Sequence, residues 1–75
     1  MNEAFTPTLQ DAIHLAHIFP RRPLDYCFKK ATSSGCTLNV VSIDGQQRCE
    51  PHDEREETRI NVHVVDGVVT RAWVG

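Results

Sequence analysis

The sequence has no apolar run long enough to cross a membrane, and no basic-then-apolar leader, because Glu3 precedes any apolar stretch. A soluble, cytoplasmic protein without a membrane partner is therefore expected. Cysteine is scarce and odd in number, with only Cys27, Cys36 and Cys49. A secreted disulfide framework has an even, dense set, so reduced thiols are expected. Basic excess is also lacking: the net charge is −2, which argues against direct nucleic-acid binding. There is no Gly-rich phosphate loop, no nucleophile elbow and no paired-cysteine zinc motif. At 75 residues the chain has room for one small domain, residues 1–75.

What is present reads as α+β: one or two N-terminal helices packed on a three-stranded sheet that ends in a β-hairpin. Thr6-Pro7 suits a helix start, with a capping hydroxyl and then proline where no N–H is needed. Leu9, Ala12, Ile13, Ala16 and Phe19 follow at helical spacing, His14 and His17 lie on the polar side, and Pro20 ends the helix. From Pro23, a second helix places Leu24, Cys27, Phe28 and Ala31 on one buried stripe, with Gly35 as its stop. Cys27 then reads as a core thiol.

Thr37 to Ile43 is β-branched and reads as a strand ending at the turn Asp44-Gly45. Residues 44–58 read as a long polar loop, and long loops in compact domains are commonly functional. Arg59 to Val65 alternates, with Ile60, Val62 and Val64 on one face and Arg59, Asn61 and His63 on the other. Asp66-Gly67 suits a type I′ turn, and Val68 to Val74 returns. An unbroken two-residue hairpin opposes Val64 to Val69 and Ile60 to Trp73, which places Arg71 on the face of Val62. That is a conflict within the pattern.

The chemistry-bearing residues form no evident catalytic or metal constellation. His14-x-x-His17 and Cys49-x-x-His52 have chelating spacings, but two such pairs must converge to hold zinc. Cys49 beside His52 is the one local candidate for an activated thiol. Asp53, Glu54, Glu56 and Glu57 crowd a single loop and cannot flank a substrate as a carboxylate pair. No enzyme, no metal and no cofactor are expected.

Arg59-Ile60-Asn61-Val62-His63-Val64, then Asp66-Gly67-Val68-Val69-Thr70-Arg71 and a final Gly75, resembles the end of the bacterial potato-inhibitor-I-like peptidase inhibitors. In that family an Arg-Leu-Asn-Val strand leads into a hairpin and a closing glycine. The similarity in element order extends over residues 24–75. The resemblance implies that an extended loop before Arg59 blocks a serine protease, with Arg59 as the brace beneath it and Gly75 holding that arginine. The partner-binding residues would be Glu50, His52, Asp53, Glu54, Arg55, Glu56 and Glu57. This sequence departs from the family in its longer loop, its acidic contact point and its extra first helix. Two alternatives share the small fold. One is a phage- or plasmid-encoded inhibitor of a bacterial enzyme or defence complex, acting through the acidic run. The other is a regulatory or structural homodimer formed through the hairpin edge or Trp73.

Overall fold

A computed structural model of the chain describes residues 8–48 and 56–75. The elements follow the order α1 (Leu9–Ile18), α2 (Leu24–Ser33), β1 (Thr37–Ile43), β2 (Gln46–Gln47), β3 (Arg59–Val65) and β4 (Val68–Val74). The four strands form one mixed sheet, ordered β2-β1-β3-β4, in which β1 and β3 run parallel. Both helices cover one face of it, α1 mainly against β4 and α2 mainly against β1.

Helix α1 starts at Leu9, later than Thr6-Pro7 implied, and those two residues lie outside the described ones. Thr8 and Asp11 form a reciprocal capping box. Asp11 N–H donates to Thr8 Oγ1 (3.2 Å) and Thr8 N–H donates to Asp11 Oδ2 (2.9 Å). Helix α2 has no side-chain cap at Pro23; instead Leu24 N–H donates to Gly67 O at 2.8 Å, tying the helix start to the hairpin turn. Its other end closes in a Schellman motif. Cys36 N–H reaches Ala31 O (2.9 Å), Gly35 N–H reaches Thr32 O (3.1 Å), and Gly35 takes φ +77°.

The core joins Ala12, Leu15, Ala16 and Phe19 of the first helical segment, Cys27 and Ala31 of α2, and Ile60, Val62, Val64 and Val69 of the hairpin. Two expected core residues are exposed: Ile13 at 47% and Phe28 at 55%. Each helix rests on the sheet along a narrow stripe, so a residue at the stripe's flank faces solvent. Leu15 takes a core place instead.

Two findings correct the strand reading. The chain does not enter a loop at Asp44. Asp44 (φ +51°) and Gly45 (φ +84°) make a tight turn, and Gln46 and Gln47 pair back on Ile43 and Ser42. The sheet therefore has a fourth, very short edge strand. In the hairpin, Val64 does oppose Val69, but the register then shifts by one. Beyond that β-bulge at Thr70, His63 opposes Arg71, Asn61 opposes Trp73, and Ile60 opposes Val74 and not Trp73. One extra residue moves Arg71 and Trp73 off the core face, which removes the conflict between Arg71 and Val62. A second irregularity at Val41 does the same for β1, keeping Ser42 opposite His63 and Ile43 opposite Val64.

Candidate functional site

The face of the sheet turned away from the helices carries Asn39 and Ser42 of β1, Arg59, Asn61 and His63 of β3, and Arg71 and Trp73 of β4. Strand alternation explains this set, since each is out of phase with Ile60, Val62 and Val64. These polar residues do not stand independently in water. Asn61 is only 4% exposed. Its amide accepts from Asn39 Nδ2 (2.9 Å) and donates through Nδ2 to Gly75 O (3.0 Å). Both ends of a buried amide are thus satisfied, which removes the cost of burying it.

Gly75 O accepts a second bond, from Arg59 Nε at 3.0 Å, while Gly75 N–H donates to Arg59 O at 3.0 Å. The guanidinium's other arm reaches Glu56 Oε2 at 3.2 Å, and the Arg59 side chain is 11% exposed. A planar group with several donors can hold the chain's last residue and the turn before β3 together. That turn is also closed by Arg59 N–H to Glu56 O (3.3 Å), and Thr37 N–H donates to Thr58 O (2.9 Å).

The crossover between the parallel strands is consequently fixed at both ends. On the β1 side, Asp44 N–H donates to Val64 O (2.8 Å), Asp44 Oδ1 accepts from Asp66 N–H (2.8 Å), and Arg48 N–H donates to Val41 O (2.7 Å). The two Asp-Gly turns interlock at that end of the sheet. On the β3 side stand Glu56, Thr58 and the Arg59 network. Of the predicted partner-binding residues, Glu56 and Glu57 fall next to this network and are exposed. Glu50, His52, Asp53, Glu54 and Arg55 lie outside the described residues.

Further along the open face, Ser42 Oγ hydrogen-bonds His63 Nδ1, the His63 and Trp73 rings sit 5.1 Å apart, and the Arg71 guanidinium lies 5.5 Å from the Trp73 ring centre. Sequence reasoning placed Asn61 and His63 on this face but assigned them no partners. Asn39 and Ser42 escaped notice there because register alone brings them in, and Trp73 was expected on the opposite face, with Ile60.

Both described cysteines, Cys27 and Cys36, are buried and free. Burial raises the pKa of both Cys27 and Cys36; the Arg22 charge opposes this for Cys27, and the Asp11 charge adds to it for Cys36. Thiols held protonated in a core are poor nucleophiles. His14 and His17 are exposed on α1, and no cluster of three or more metal-binding side chains occurs among the described residues. Cys49 and His52 lie outside them. No described helix is long and apolar enough to cross a membrane.

Compared with known proteins, the chain matches no family model, no curated protein and no solved structure.

Proposed function

We propose that this protein is a protein-binding inhibitor whose contact segment is the acidic connection between the two parallel strands, with a serine protease as the target class. The observation that carries this reading is the Arg59 network. It ties the turn at Glu56 to Gly75 and Asn61, while Arg48 is held on β1 at the other end. An inhibitor that occupies an active site like a substrate gains from such anchoring, because a segment with fixed ends loses less entropy on binding. The residues between the anchors, with Glu50, Asp53, Glu54 and Arg55 among them, offer acidic side chains and one arginine. A protease with a cationic specificity pocket would accept the former and one with an anionic pocket the latter. Complementary charge would speed the encounter and make it salt-sensitive.

The test is inhibition of two serine proteases, one cleaving after Glu and one after Arg. The comparison is between the native chain and a variant with Asp53, Glu54, Glu56 and Glu57 all changed to Ser. Inhibition of the Glu-directed enzyme should be lost in the variant while its circular dichroism is unchanged. Equal inhibition by both chains, or none by either chain against either enzyme, would overturn the proposal.

A further inference from the structure

Strand β4 is one edge of the sheet, and the described residues cover only its first part. Arg21 N–H donates to Val69 O (2.7 Å), Val69 N–H to Arg22 O (2.8 Å), and Pro23 bridges Val68. Arg21 adopts φ +76°, which turns the interhelical link onto this edge. Past the bulge no described residue pairs with this edge. Gly75 N–H points toward β3, since it bonds Arg59 O. In an antiparallel ladder the direction alternates, so Trp73 also faces β3 while Ala72 and Val74 turn their N–H and C=O groups outward.

A shallow groove runs along this open edge, lined by Ile13, Ala16 and His17 of α1 and by Ala72, Trp73 and Val74 of β4. Trp73 and its two neighbours project to opposite faces of the strand, so a groove that includes all three lies at the strand's edge. One wall is the exposed Ile13; the other side carries Trp73 with Arg71 across its ring. A positive charge borders the groove: Arg71, across the Trp73 ring, forms no ion pair among the described residues, where the pairs present are Lys29–Asp25 and Arg59–Glu56.

We infer that this edge is a second docking surface, which receives an extended, acidic segment of a partner protein as an added strand. The occupant's main chain would bond the outward groups of Ala72 and Val74. Its alternate side chains would fall on two sides, apolar ones against Ile13 and Ala16 and carboxylates toward Arg71. Arg71 selects an acidic segment over a basic one, and the apolar wall selects alternation over a uniformly charged tail. This surface is at the sheet edge opposite to β2, so it is independent of the acidic connection treated above.

The test uses the N-acetylated heptapeptide amide Glu-Val-Glu-Val-Glu-Val-Glu and its Lys-for-Glu counterpart. Binding to the full chain is followed by amide NMR shifts and by the fluorescence of Trp73, the one tryptophan in the sequence. The acidic peptide should bind saturably, shift the amides of Ala72 and Val74, and weaken as salt is raised. Arg71→Glu should weaken it about tenfold or more. Ile13→Glu, at an exposed position that leaves folding intact, should weaken it too. Failure of the acidic peptide to bind, equal binding of both peptides, or indifference to both substitutions would overturn the inference. So would sedimentation showing that a second copy occupies this edge, or NMR contacts placing residues 1–7 in the groove of the free protein.

Discussion

The two faces of β3 are built from one seven-residue strand, yet they do opposite work. Ile60, Val62 and Val64 are fully buried under the helices and interact through area alone. Arg59, Asn61 and His63 face away from the helices, and each has a directed partner: Gly75 and Glu56, Asn39 and Gly75, and Ser42. The apolar face holds the domain together. The polar face fixes where the chain enters and leaves the strand, and so positions the connection that we propose as the binding segment.

The most drastic way to break this division is to delete Ala72. If the bulge stays, Trp73 falls opposite Val62; if the bulge is absorbed, Arg71 falls there, so either way a side chain from the open face is driven into the core. The deletion variant should lose its cooperative thermal transition by circular dichroism. A variant as stable as the native chain would show that this register does not set the faces. Next in size is Ile60→Ala on the apolar face, expected to cost about 2–5 kcal/mol in urea unfolding.

On the polar face, Asn61→Leu removes the buried amide that bonds both Asn39 and Gly75 and should cost about 1–3 kcal/mol. A double-mutant cycle with Asn39→Ala should show coupling between the two sites; additive effects would mean that the network is no network. The smallest effect concerns the core thiols. Burial raises the pKa of Cys27 and Cys36 above the ordinary 9.0. The unfolded chain therefore ionises first as pH rises, and the thiols' contribution is intact below that value and declines above it. Urea midpoints should fall at alkaline pH, and less so in Cys27→Ala; an equal fall in both would remove Cys27 from the account.

The comparison also marks what the residues alone could disclose. The apolar alternation of Ile60, Val62 and Val64, the two Asp-Gly turns and the Gly35 stop are local signals, and the α+β class follows from them. Phe28 and Ile13 misled because periodicity reports which residues could share a face, whereas the helix-to-sheet contact decides how wide that face is. The bulge at Thr70 has no local signature; the clash of Arg71 with Val62 was its only trace. Asn61 read as an outward polar residue because its partners, Asn39 and Gly75, lie 22 and 14 positions away. At the candidate site, the pairing of Arg59 with Gly75 was expected through the family resemblance. Spacing along the chain offers no separate reason to expect it.

The central claim is that the Arg59 network holds the connection ready for its target. The measurement that bears on it most directly is the inhibition constant of Arg59→Lys against the protease that the native chain inhibits, taken together with its urea midpoint. Lysine keeps the charge but cannot bond Gly75 and Glu56 from one planar group. The account predicts at least about a tenfold loss of inhibition, equivalent to about 1.4 kcal/mol, in a protein that remains folded, with the variant's connection cut faster by the protease. Unchanged inhibition by a folded Arg59→Lys chain would contradict it.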